Sequence, residues 1–323
     1  MSEETRSDRL TLRFLAAPSE VTVSGRAVPA GRVLEWIDKA AYACAVGWSG
    51  NYCVTAYVGD VNFSQPILPG ELIEVHARIV LTGTSSMHIL VRVESTDVRS
   101  RKFSHAMSCI LVMVAVDSSG KPCPVPEWVP WSTGDETLRD RAKERIRPRR
   151  AIQELTLGQE YSNNGTTPRT VFRFLAAPGD ANWGGNAHGG TVMRWIDEAA
   201  YACAASWSSE TAVAVYAGGI HFHRPIHIGD IVEVDARLIH TGPHSMHVSI
   251  RVASSSVTSP RDLGLTMQCI SVFVDPDDSG KAAEISPLTL MTDEDIRLDA
   301  YAQQLIGLRK SLAVIPAGLA RES

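Results

Sequence analysis

The 323-residue chain has no run of about 18 apolar residues, so no membrane-spanning helix is expected. It has no Cys-x-x-Cys pair: Cys44, Cys53, Cys109, Cys123, Cys203 and Cys269 lie far apart, which excludes a zinc ribbon and a secreted disulfide scaffold and predicts reduced core thiols. Positive charge is not in excess. Lys and Arg number 31 against 36 Asp and Glu, a net charge of −5, so no overall field draws the chain to nucleic acid or anionic lipid. The first eight residues, MSEETRSD, are polar and acidic where a signal peptide is basic then apolar, and a cytoplasmic protein is expected. The remainder is ordinary for a folded protein, with 44% hydrophobic and 21% charged residues, and the length suits two domains.

What the sequence does contain is one unit written twice. Residues 31–58 and 190–217 match at 15 of 28 positions at an offset of 159. ARIVLTGTSSMHILVRV from Ala77 pairs with ARLIHTGPHSMHVSIRV from Ala236, and FLAAP from Phe14 with FLAAP from Phe174 at an offset of 160. So long a period is a duplicated domain, expected to pack about a pseudo-twofold axis, and not a solenoid repeat. The expected division is a first domain over 1–131, a helical linker over 132–160 and a second domain with a C-terminal helix over 161–323.

Each copy opens with a short strand, passes through a polar loop into a helix (about Arg32–Gly47 and Thr191–Ser206), and continues as four strands. In the first copy these span Cys53–Phe63, Leu72–Leu81, Met87–Glu94 and His105–Val116, broken by proline, glycine and serine. A charged linker helix capped by Ser132 or Thr133 is expected to stop at Pro148, and a similar helix over Asp293–Ser311 to close the second copy. The repeated helix has little polar face, so the expected fold is α+β: in each copy, one curved antiparallel sheet wrapped around one long helix.

Against that apolar background each helix carries one mid-helix acid, Asp38 or Asp197. A carboxylate there costs several kcal/mol unless something compensates it. Either these acids face outward beside Lys39 or Arg194, or they serve as general base or nucleophile in a cleft between the copies. The loop before the second helix, DANWGGNAHGG from Asp180, ends in Gly189 and Gly190, where unpaired N–H groups could hold an oxyanion. The first copy has EVTVSGRAVPAG from Glu20 instead, without the Asn, the His and one Gly.

DANWGGNAHGGTVMRWIDEAA from Asp180, HFHRPIHIGD from His221 and TGPHSM from Thr241 together resemble the hotdog-fold acyl-CoA thioesterases, especially the cytosolic type with two hotdog domains in one chain. The resemblance covers about residues 10–126 and 170–282. It implies a tandem hotdog that hydrolyses fatty acyl-CoA to free acid and CoA, with an Asn from one domain's loop facing an Asp on the other domain's helix. By position, Asn182 pairs with Asp38, while Asp197 faces Thr22 or Val23 and forms an incomplete site. Family members carry the Asn in the first domain; here the second domain has it. The resemblance further implies that Asp38 activates water or attacks the thioester itself, that Asn182 orients the water or polarises the carbonyl, and that Gly189 or Gly190 holds the oxyanion.

For the CoA phosphates the candidates are Arg224, Arg32, Arg26, Arg149 and Arg150, and the turns Thr82–Ser86 (Thr84, Ser85 and Ser86) and Thr241–Ser245 are similar to a segment that lies near the nucleotide in the family resembled. Those turns read equally as plain hairpin loops. Met87, Met246, Trp36 and Trp195 read as core before acyl tunnel. No cofactor or metal is required, since coenzyme A is part of the substrate and His221 and His223 have no third ligand in view; His188 reads as a loop hydrogen-bonding residue. The resemblance implies acyl-CoA and further copies of the chain as the only partners, with a homotrimer expected because paired hotdogs of this family gather into rings of three pairs. A hotdog hydratase or dehydratase and a non-catalytic acyl-CoA sensor are the alternatives.

Overall fold

The computed structural model describes residues 7–22, 25–100, 102–310 and 312. The first copy comprises β1 (Arg9–Leu15), α1 (Ala30–Ser49), β2 (Cys53–Val58), β3 (Val61–Asn62), β4 (Glu71–Thr82), β5 (Ser86–Asp97) and β6 (Ser104–Ala115). Helices α2 (Thr133–Glu144) and α3 (Ile146–Leu157) connect it to the second copy: β7 (Arg169–Leu175), α4 (Gly189–Ala205), β8 (Val213–Phe222), β9 (Ile231–Gly242), β10 (Ser245–Ser255), β11 (Gly264–Val274) and α5 (Asp293–Lys310).

The strands form one antiparallel sheet in the order β1-β4-β5-β6-β2-β8-β11-β10-β9-β7, with β3 also on β8. The seam is the β2–β8 pairing, Tyr57 opposite His221 and Val58 opposite Ile220. Alternation sets which face is buried: Ile73, Val75, Ala77 and Ile79 of β4 point inward onto α1, and Val232, Val234, Ala236 and Leu238 of β9 onto α4. One hydrophobic core runs through both halves. The helices touch at their N-terminal ends, where a Cβ on Gly31 would lie 2.8 Å from the Arg194 Cα and one on Gly190 2.8 Å from the Glu35 Cα. Only glycine permits that approach.

Two local expectations are corrected. The expected strand Cys53–Phe63 is broken into β2 and β3 by Gly59 and Asp60, because the chain there leaves β6 and crosses to β8; the Gly59 N–H still bonds the Ile110 carbonyl. The linker helix does not stop at Pro148. Ser132 caps α2, accepting from the Asp135 N–H at 3.1 Å, α2 ends at Glu144, and Pro148 lies in the first turn of α3, where a missing N–H breaks no helical bond. The closing helix is described over Asp293–Lys310; Ser311 lies outside the described residues, as do Val23 and the first six residues.

The outer face of the sheet is partly covered. Leu138 and Ala142 of α2 pack on Val80, Leu90 and Ile110, and Leu298, Tyr301, Ala302 and Leu305 of α5 on Ile239, Ile270 and Val272. All six cysteines carry free thiols, five of them buried. No helix among the described residues is long and apolar enough to cross a membrane.

Candidate active site

Asp38 sits in the middle of α1, 2% exposed, where helical periodicity turns it towards α4. Its carboxylate is held from two directions. Thr55 on β2 donates its hydroxyl to Oδ1 at 2.6 Å, and the Gly190 N–H of the other copy donates to Oδ2 at 2.8 Å. The latter is one of the donors that the first turn of a helix leaves unused. His188 is the N-cap of α4; its Nδ1 lies 3.1 Å from the Gly190 N and 3.1 Å from Asp38 Oδ2. Burial would strip the proton from this ring, but Asp38 beside it more than compensates, so its pKa is raised.

These groups face a cavity of about 350 Å³. Asp38, Tyr42, Tyr52, Thr55 and Val116 of the first copy line it with Asn182, His188, Gly189, Val192, Arg224 and Met267 of the second. The loop before α4 is folded by Asn182, whose Oδ1 accepts from the Gly184 N–H at 2.9 Å and the Asn186 N–H at 3.1 Å, while Nδ2 reaches the Ala187 carbonyl at 3.5 Å. With its oxygen engaged by its own turn, Asn182 can offer the cavity only an N–H. Gly189 is equally constrained: a Cβ there would fall 3.0 Å from Thr55 Oγ1 and 3.1 Å from Asp38 Oδ2. Trp183, 85% exposed, stands at the rim.

The other expected residues are divided. Gly190 cannot hold an oxyanion, since its N–H is engaged by Asp38. Arg224 lines the cavity and meets no carboxylate among the described residues, one amino group resting on the Ser254 and Gly264 carbonyls. The remaining arginines lie elsewhere. Arg32 pairs with Glu20 and Glu35, Arg26 and Arg150 are exposed, and Arg149 lies over the Tyr57 ring at 4.8 Å, its pKa lowered by burial. Thr84, Ser85 and Ser86 belong to the β4–β5 hairpin, where Thr84 and Ser85 accept from Val125 and Ala115; Ser245 begins β10. None of these four residues lines the cavity. Trp36, Trp195, Met87 and Met246 are core residues away from it.

Asp197 occupies the symmetric position on α4. Its Oδ2 accepts the Gly31 N–H at 2.8 Å, and burial raises its pKa to about 6. Little else is reproduced. At the offset of 159, Pro29 stands for His188, Ala214 for Thr55 and Gln65 for Arg224, while Thr22 lies in a turn with Gly25 and Ala27. His221 is buried against Tyr57, its pKa driven down to about 3 by burial, and His223 lines the cavity.

A family model described as the thioesterase superfamily matches residues 28–101 and again 184–259. Protein VdlD of Helicobacter pylori is 33% identical over 122 residues, 38% of this chain and 69% of that protein. The cytosolic acyl coenzyme A thioester hydrolase of mouse is 24% identical over 309 residues, 88% of this chain and 79% of that one. Among solved structures, an acyl-CoA hydrolase of Staphylococcus aureus, in complex with butyryl coenzyme A, coenzyme A and coenzyme A disulfide, is 28% identical, covers 46% of this chain and 90% of its own, and superposes with a TM-score of 0.43. The chain belongs to the thioesterase superfamily, and its fold is a tandem hotdog.

Proposed function

We propose that the chain hydrolyses the thioester of fatty acyl-CoA at the seam between its two hotdog domains. The observation that carries this reading is the shared cavity into which the first copy brings Asp38 and Thr55 and the second brings Asn182, His188 and Gly189. Names of relatives, such as the mouse cytosolic hydrolase, support the reaction class and a cytoplasmic setting.

In this reading Thr55 and Gly190 fix the Asp38 carboxylate so that it points at the thioester carbon, either to take a proton from water or to attack directly. The Gly189 N–H, unused by α4, receives the developing oxyanion with the Asn182 amide beside it. His188, with its proton on Nδ1, donates to Asp38 from the loop side. Arg224 at the cavity wall offers its charge to a CoA phosphate, and the apolar walls around Val116, Val192 and Met267 take the acyl chain. Asp197 has no part in the reaction.

Thiol release from acyl-CoAs of graded length tests this. Asp38→Ala and Asn182→Ala should each lose about 10²- to 10³-fold or more in turnover, and Asp197→Ala should retain most of it. The reverse ranking would place the working site at Asp197. Binding without thiol release would make the protein a sensor, and altered unsaturation without thiol release a hydratase.

A further inference from the structure

On the outer face of the first copy, away from the cavity, β1, β4 and β5 bring six polar side chains into one network. Register sets Thr11 opposite His76, Arg13 opposite Glu74, Glu74 opposite Glu94 and Arg92 opposite His76. Two carboxylates directly opposite each other on paired strands repel unless a cation lies between them. Each meets an arginine. Arg13 bonds Glu74 Oε1 at 2.6 Å and Arg92 bonds Glu94 Oε1, and both Oε2 atoms lie near one point, 3.4 Å and 3.3 Å from His76 Nε2.

The imidazole is what makes this more than an acidic patch. Its Nδ1 is 2.8 Å from the Thr11 hydroxyl, while Nε2 is buried and makes no hydrogen bond to any described residue, either carboxylate included. A proton on Nε2 therefore finds no acceptor in line. With the proton on Nδ1 and donated to Thr11, three electron-pair donors converge: one imidazole nitrogen and two carboxylate oxygens. Metal-bound histidines are commonly oriented by such a hydrogen bond from the other ring nitrogen. Bonds of about 2.0–2.1 Å in a tetrahedron put neighbouring ligands about 3.3–3.4 Å apart, the spacing seen from Nε2 to each oxygen.

We propose that Glu74, His76 and Glu94 form a binding site for a borderline divalent cation of the zinc class. Thr11 sets the ring through Nδ1, which leaves the buried Nε2 to face the two carboxylates. The site would tie β4 to β5, with the edge strand β1 joined to it through the Thr11–His76 hydrogen bond. It belongs to the first copy alone: the second has Asp235 for His76, Ala253 for Glu94 and Val171 for Thr11, and there Arg169 clamps Asp235.

The test is titration of the chelator-treated, full-length protein with Co²⁺, followed by its visible absorption and by thermal unfolding, with Zn²⁺ as competitor. Wild type should bind one more Co²⁺ per chain than His76→Gln and gain a higher Tm with metal. Thr11→Val, the residue the second copy already carries, should weaken that site about tenfold or more. Thiol release should be unchanged in both variants. Should His76→Gln not fold, Glu94→Ala, which copies Ala253, replaces it. Equal stoichiometry in wild type and variant, or no uptake by wild type, overturns the proposal.

Discussion

Asp38 and Asp197 began as the same residue of one domain, and their surroundings separate them. Asp38 has a hydroxyl, an N–H and an imidazole around it and opens on a cavity; Asp197 is closed in with a single N–H. The consequence for Asp197 has a definite sign. Its pKa is raised from 3.8 to about 6 by burial, so below pH 3.8 it is neutral in both states and neither state is favoured. As pH rises, the unfolded chain ionises first and is stabilised relative to the native state, and the effect levels off above about pH 6. Denaturant unfolding at pH 4 and 7.5 should show wild type losing on the order of 3 kcal/mol relative to Asp197→Asn across that interval. Parallel pH dependence in the two proteins would mean that Asp197 is solvated. Arg224→Gln, copying Gln65, should raise KM for acyl-CoA roughly tenfold or more and leave KM for the corresponding pantetheine thioester nearly unchanged, because only the former carries the nucleotide phosphates.

Between elements, the decisive contact is that of the two central helices through Gly31 and Gly190. A Cβ on either meets backbone of the opposing helix at 2.8 Å, so Gly31→Ala and Gly190→Ala should each destabilise by about 1–3 kcal/mol in thermal or denaturant unfolding. Their activities should differ. Gly190→Ala also presses on Asp38, with its Cβ 3.3 Å from the Asp38 Cβ, and should nearly abolish thiol release, while Gly31→Ala acts beside Asp197 and should spare it. The helices, their acids and the Asn182 loop are legible in the sequence, because a 3.6-residue pattern and a run of glycines are local properties. Thr55 was missed although the signal was present. Within a segment that matches well between copies, it is one of the places where they differ, Thr55 against Ala214; His188 against Pro29 and Arg224 against Gln65 are others. Comparing the copies for what only one of them keeps would have marked much of the cavity wall.

For the whole molecule, the sheet ends at β1 and β7 among the described residues, and Leu15, Val171 and Leu175 on these edge strands are exposed. Unpaired edges with apolar side chains invite further copies of the chain. The family resemblance implies a homotrimer, six hotdog domains in all, and light scattering on the eluted protein should return three times the chain mass; any other mass at micromolar concentration would refute it. The exposed Trp183 stands at the rim of the cavity, where a neighbouring copy or bound substrate could cover it.

The sequence by itself determined the duplication, the helix-in-sheet domain and the two acids at equivalent positions, since each is written in short-range pattern or in the match between copies. It also pointed to Asn182 and Asp38 as partners across the seam. Only the tertiary structure decided that Gly190 serves the acid and not an oxyanion, that Thr55 and His188 stand beside it, and that Arg224 alone of the five candidate arginines lines the cavity. The physical reason is distance along the chain: hydrogen bonds such as the one from Gly190 to Asp38 join residues 152 apart, and their geometry exists only once β2 has paired with β8 and the two helices have met.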